Sequence, residues 1–289
     1  MNTQNPRNTC HTRPPKPYNR GMLFLKLGGS LITDKTKENT PRIEVLTRLA
    51  REIRTALDTL ATPLLIGHGS GSFGHTAARK YGTRQGVRTA QDWRGMAEVS
   101  VAAARLNRLV ADALHEAGVP VISVLPSASV VCRDGLIQHM DLTLIQAALA
   151  HGLVPLVMGD VALDTVRGGT IVSTEEVFAY LMRHTPAQRI LLAGETEGVY
   201  AHYAPDAPGP IVAHITPDDW AALQSGVGGS RGADVTGGMA GKVRDMLGLV
   251  QHHPHMQVQI FSGLKPGTLG EVLGGSAAGT RISADEAPI

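Results

Sequence analysis

The chain has 289 residues, 43% of them hydrophobic, so it can bury a sizeable core. With 27 basic against 25 acidic side chains it carries too little net charge to call for nucleic acid or an anionic membrane as partner. Its two cysteines, Cys10 and Cys132, form neither a zinc spacing nor a disulfide framework, which suits a reducing cytoplasm, and no apolar run approaches a membrane span.

Residues 1–20 are polar and proline-rich, with Arg7, Arg13, Lys16 and Arg20 and no acid. They lack the apolar core of a signal peptide and read as a disordered extension ahead of one ordered unit, 21–289. Met22–Leu27 reads as a strand running into Gly28-Gly29-Ser30. A lysine near the end of a buried strand, here Lys26, is costly unless it meets an anion. Lys35 follows on a polar stretch, where it could converge with Lys26 on the same phosphates or simply be solvated. Residues 43–60 read as a helix with Leu49, Ile53 and Leu57 on one face.

Pro63–Ile66 is a second strand, and Gly67, Gly69, Gly71 and Gly74 follow before His75 leads into a helix. Glycines at a strand-to-helix transition let backbone N–H groups reach an anion, so this loop reads as a phosphate cradle. Ser70 and Ser72 add hydroxyls and His75 a further donor. Gly69–Gly74 also matches the dinucleotide pattern G-x-G-x-x-G, but that reading needs an acid closing a second strand. Asp92 is at about the right distance, yet Gln91-Asp92-Trp93-Arg94 looks like a helix start. A bare tight turn would have no need of so many glycines and hydroxyls.

A long helix covers 92–117, with Val99, Ala103, Leu106, Val110 and Leu114 inward and Gly118 as its stop. Val119–Leu125 reads as a strand, Asp141 can cap a helix that ends before Gly152, and Leu153–Met158 is a strand running into Gly159-Asp160. A hairpin is expected over Val161–Val172, turning at Arg167-Gly168-Gly169. Ser173 and Glu176 make a capping box, and Gln188–Ala193 is a strand followed by Glu195-Thr196-Glu197. Thr216-Pro217 starts a short helix. The glycine-rich stretch from Gly226 to Gly238 feeds a helix with Lys242 near its start, and Val258–Phe261 is a late strand. Strands alternating with helices predict an α/β fold with a mostly parallel sheet.

Three glycine-rich loops, 28–30, 67–74 and 237–241, therefore accompany three lysines, Lys26, Lys35 and Lys242. In doubly wound sheets such loops gather at the carboxyl edge. The last loop is not a Walker A sequence, since Thr236 stands where its first glycine belongs and Val243 where its Ser or Thr belongs. Two anion cradles with extra cations describe phosphoryl transfer. His252-His253-Pro254-His255 reads as a solvated helix end, because adjacent histidines cannot converge on one ion. Glu195 and Glu197 could bind Mg²⁺ or face solvent, and no protein metal site is assigned. His139 and Asp141 could frame an acceptor pocket.

Lys26–Ser30, the glycine loop with His75, Gly159-Asp160-Val161 and Ala233–Met239 with Lys242 resemble the amino acid kinase superfamily, and Gly71–His75 resembles the signature of isopentenyl phosphate kinases. The resemblance implies a three-layer αβα sandwich, an acceptor half at about 21–160 and an ATP half at about 161–289. It implies ATP and Mg²⁺, isopentenyl phosphate as acceptor, and a cytoplasmic homodimer. On this resemblance Lys26, Gly28, Gly29 and Ser30 border the ATP phosphates, Gly238 and Lys242 bind nucleotide, and Lys35 stabilises the transferring group. Ser70, His75 and Gly159 hold the acceptor, with Gly71 between the substrates. The chain departs from the family at Ser173-Thr174-Glu175 and at Glu195 and Glu197, where aspartates are expected. A phosphomonoester is already ionised at neutral pH, so no general base is required. The helix carrying Met96, Val99 and Val101 is expected to wall the acceptor's hydrocarbon tail. Rival readings are a kinase of this fold for a fosfomycin-type phosphonate, a carboxylate or carbamate kinase, and a non-catalytic nucleotide-binding protein.

Overall fold

A computed structural model describes residues 21–204, 208–227 and 238–285, without the side chains of His75 and Thr76. The first half contains β1 (Met22–Leu27), α1 (Gly29–Ile32), α2 (Ile43–Leu57), β2 (Leu64–His68), α3 (His75–Tyr81), a 3₁₀ turn (Thr83–Gln85) and α4 (Ala90–Glu116). Then come β3 (Val121–Ser123), α5 (Pro126–Ser129), β4 (Val130–Arg133), β5 (Leu136–Met140), α6 (Thr143–Ala150) and β6 (Val154–Met158). The second half contains β7 (Asp160–Asp164), β8 (Gly168–Val172), α7 (Thr174–Met182), β9 (Ala187–Gly194), β10 (His214–Ile215) and α8 (Trp220–Leu223). It closes with α9 (Gly238–His252), β11 (Gln257–Ser262), α10 (Thr268–Leu273) and β12 (Thr280–Ile282).

Eight strands form one sheet in the order β10-β12-β11-β9-β1-β2-β6-β3. Only the β11–β12 pair is antiparallel. Because β1 is central, both of its faces are buried, and its period of two sorts its side chains between two cores. Leu23, Leu25 and Leu27 pack with Leu49 and Ile53 of α2, Leu106 and Val110 of α4, and Leu269 of α10. Met22 and Phe24 face Phe178 and Leu181 of α7 and Val243 and Met246 of α9. The Phe24 and Phe178 rings lie 5.0 Å apart between centroids. Helices thus cover both faces of a mostly parallel sheet, the expected three layers. Lys26 follows Phe24 on the face that carries α7.

Several elements differ from the sequence expectation. β3 stops at Ser123, and Pro126 opens the short α5 rather than prolonging the strand. β4 and β5, unforeseen, join β7 and β8 in a second sheet ordered β5-β4-β7-β8. The β7–β8 turn lies before Gly168, which takes φ +80°, and not across Gly168-Gly169. Asp164 holds that turn by accepting from the N–H groups of Val166 (2.9 Å) and Arg167 (2.8 Å). It also accepts from Gly135 N–H (2.7 Å) in the β4–β5 turn, so one buried carboxylate pins both hairpins. At the start of α4 Asp92 completes a capping box with Thr89, a local role that removes it from any dinucleotide reading.

Candidate active site

Strands β9, β1, β2 and β6 are parallel neighbours, so their carboxyl ends open on one edge. That edge places Gly194, Gly28-Gly29-Ser30, the Gly69–Gly74 loop and Gly159 side by side. The first two glycine loops are in backbone contact: a Cβ at Gly29 would fall on the Gly71 nitrogen. Gly71 itself has φ +53°, and a Cβ there would lie 2.6 Å from the Gly29 carbonyl oxygen. Glycine is required at 71 by conformation and by space together. Gly28 N–H donates to the Ala193 carbonyl (2.8 Å), fixing the first loop against β9.

Alternation along β1 sends Lys26 toward the first turn of α7, where its ammonium donates to the Glu175 carboxylate. The two side chains are only 11% and 12% exposed, so neither charge could be left alone there. Burial pushes the Glu175 carboxyl up, but the Lys26 and Lys242 ammonium groups outweigh it and hold the group below its ordinary value. One carboxylate therefore organises two of the three predicted lysines. Its neighbour Glu176 faces elsewhere, closing the Ser173 capping box and pairing with Arg84 (2.9 Å).

Lys35 sits on the 34–40 loop, which is clasped to the second glycine loop. The Thr33 hydroxyl donates to Gly29 O (2.7 Å) and accepts from Ser72 N–H (2.8 Å). Thr40 N–H donates to Ser72 Oγ (3.2 Å), and Asn39 N–H to Ser72 O (3.3 Å). Ser72 is thus a buried brace rather than the hydroxyl ligand expected for it; Ser70 is the serine that faces the open space.

These groups line one open cleft. Lys26, Gly28, Gly29, Ser30, Lys35, Ser70, Gly71, Gly159 and Lys242 are all on its walls, so the sequence-predicted residues converge. Gly238 opens α9, one turn before Lys242. His75 begins α3 beside the cleft, but its side chain, with the stretch 228–237, is outside the described residues. An apolar end gathers Ala78 of α3, Val99 of α4 and Ile171 of β8, which pack together, with Ala103 one turn on along α4 and Arg84 donating to the Ile171 carbonyl (3.3 Å). Met96 packs behind this end, whereas Val101 is 52% exposed and cannot form its wall. His139 lies exposed on β5, and neither it nor Asp141 borders the cleft; Asp141 accepts from Thr143 N–H (2.9 Å) at the start of α6.

Asp160 borders the cleft from a buried position, accepting from Ser127 N–H (3.1 Å) and its own chain neighbour Val161 N–H (2.8 Å). Burial pushes its carboxyl up despite those bonds. Glu195 pairs with Arg42 (2.7 Å) at the start of α2, and Glu197 is exposed. Among the described residues no three His, Cys, Asp or Glu side chains are grouped to hold a metal.

The sequence profile described as the amino acid kinase family matches residues 21–262. The chain belongs to the amino acid kinase family. An isopentenyl phosphate kinase from Methanothermobacter thermautotrophicus is 34% identical over 91% of this chain and 99% of its own length. One from Methanocaldococcus jannaschii is 31% identical over 92% and 100%. A crystal structure of an isopentenyl phosphate kinase superposes with a TM-score of 0.76 at 32% identity, covering 91% of this chain and all of that one. For an amino acid kinase, the lysines and glycine loops were legible in order, while Arg84 and Thr33 were not singled out as parts of the site and Glu175 stood out only as a departure from the family pattern, not as the partner of Lys26. Two adjacent acids in one first turn were the available signal for Glu175, since only one of them can close a capping box.

Proposed function

We propose that the protein transfers the γ-phosphoryl group of ATP to isopentenyl phosphate, yielding isopentenyl diphosphate and ADP. One observation carries the reading: the cleft joins a floor of lysines and glycine backbone to an apolar end of Ala78, Val99, Ala103 and Ile171. Lysines and N–H groups suit two phosphorylated substrates that would otherwise repel. The apolar end suits a hydrocarbon tail, and burying five carbons at about 0.8 kcal/mol each contributes about 4 kcal/mol of preference over bare phosphate. The relatives named isopentenyl phosphate kinase support the same substrate.

In this reading Lys26, Gly28, Gly29, Ser30, Gly238 and Lys242 hold the ATP phosphates. Ser70, His75 and Gly159 hold the acceptor phosphate, and Gly71 lies between them. An ionised oxygen of the acceptor forms the new bond to γ-phosphorus as the bond to the β-phosphate oxygen breaks and ADP leaves. The second pKa of a phosphomonoester is near 6, so the nucleophile needs no base. Lys35 neutralises charge on the moving group. Among the described residues no three carboxylates are grouped to hold a magnesium ion, and Glu175 and Glu195 are paired with lysine and arginine. Magnesium belongs to the proposal only as part of the donor, MgATP. A cytoplasmic homodimer is part of the same proposal, and light scattering tests the dimer.

The decisive assay supplies ATP with isopentenyl phosphate, polar phosphomonoesters and a fosfomycin-type phosphonate. Highest kcat/KM with isopentenyl phosphate supports the reading; a preference for the phosphonate replaces it with a phosphonate kinase.

A further inference from the structure

His68, at the carboxyl end of β2, is 1% exposed and faces α4, because Gly67 takes the opposite face. A Cβ at Gly67 would lie 2.8 Å from the Phe178 ring, so the α7 face has no room for a side chain there. Its imidazole bridges two elements. Nδ1 lies 3.1 Å from the Gly69 carbonyl oxygen, and Nε2 lies 3.1 Å from Nδ2 of Asn107. A carbonyl only accepts and an amide NH₂ only donates, so the proton belongs on Nδ1 and Nε2 accepts. Turning the Asn107 amide would require either a bare Nδ1 against a carbonyl or a buried imidazolium. Burial keeps the ring neutral, pushing its pKa down to about 4.

Asn107 lies on α4 four residues beyond Ala103 and eight beyond Val99, hence on the face that lines the apolar end of the cleft. The backbone carbonyl of His68 accepts from the Thr174 hydroxyl (2.6 Å), next to Glu175, and from Gly159 N–H (3.4 Å). We propose that His68 is a positioning residue, whose Nδ1–H fixes the Gly69-Ser70-Gly71 backbone while Nε2 registers it to the tail-lining face of α4. The tail wall and the acceptor-phosphate loop then move as one unit, so a correctly seated tail and a correctly seated phosphate depend on each other. This inference rests on the acceptor assignment made above.

The test combines kinetics with ¹⁵N NMR of the full chain, using whichever phosphomonoester the wild type turns over best. In His68→Leu, kcat/KM for the acceptor should fall about tenfold, as for loss of one buried hydrogen bond, while the KM for ATP stays within about twofold. His68→Asn keeps a donor for Gly69 and should recover most of that loss. Asn107→Ala should show a smaller acceptor-selective loss, and adding it to His68→Asn should cost nothing more, because that bond is already gone. Parallel losses for ATP and acceptor, or no recovery in His68→Asn, would overturn the proposal. An Nε2–H tautomer or an imidazolium at pH 6 would overturn it whatever the acceptor, and this readout survives a variant that fails to fold. Failure of the wild type on isopentenyl phosphate alone would instead count against the functional reading.

Discussion

Replacing Glu175 with Gln tests the charge arrangement at the head of the cleft. The substitution keeps the shape but removes the negative charge on which the Lys26 and Lys242 ammonium groups both act. With the Lys26 side chain 11% exposed, water cannot take over the role of the carboxylate. Breaking a buried pair from one side costs about 3–5 kcal/mol, mostly from the charge left behind. At roughly 2–4 °C per kcal/mol for a domain near this size, the melting temperature should drop on the order of 10 °C. In the proposed reading ATP brings negative phosphates to the same lysines. Its stabilising shift, measured by calorimetry with a non-hydrolysable analogue, should therefore be larger in Glu175→Gln than in the wild type. Glu175→Asp keeps the charge but withdraws it by one methylene, and should fall between the two. An unchanged melting temperature together with an unchanged nucleotide shift would refute the assignment of Glu175 as organiser of the lysines.

Three further outcomes are expected. Lys35→Met should lower kcat on the order of 10²-fold, as for loss of one preorganised charge contact, with both KM values little changed; unaltered turnover would make Lys35 a solvated loop residue. Val99→Ala should deepen the apolar end and raise kcat/KM for ten-carbon phosphates relative to isopentenyl phosphate, and an unchanged ratio would place the limiting wall elsewhere. His68 makes stability depend on pH, because the unfolded chain takes up its proton near 6.5 and the folded one only near 4. Its contribution is therefore intact above pH 6.5 and lost progressively as pH falls to about 4, by about 3 kcal/mol in all. Urea unfolding from pH 7.5 to 4.5 should show a shallower decline in His68→Asn, and equal slopes would exclude the linkage.

What the sequence revealed and what it hid follow one physical line. Lys26, Gly28, Gly29 and Gly71 were legible because each breaks a local rule: a charge in a buried strand, or glycines where a turn alone needs fewer. The long helix was legible from periodicity, and Leu106 and Val110 are fully buried as that period demands. Local signals could not show which partner a residue meets across the fold. Ser70 and Ser72 look alike in sequence, yet one faces the cleft and the other is bonded to Thr33 and Thr40, more than thirty residues away. Glu175 meets Lys26 across 149 residues. The β4–β5 hairpin escaped because its strands are four and five residues long and β5 is mostly exposed, leaving little apolar alternation to read.

In the proposed reading a phosphate floor and an apolar tail pocket receive one substrate. It is tested most directly by kcat/KM for an acceptor series of unbranched alkyl phosphates from one to five carbons, with saturating MgATP. If the tail enters the space beside Val99, Ala103 and Ile171, each added carbon should raise kcat/KM about fourfold, roughly two hundredfold across the series. A flat or falling series would contradict the account, because the apolar end of the cleft would then not be receiving the acceptor.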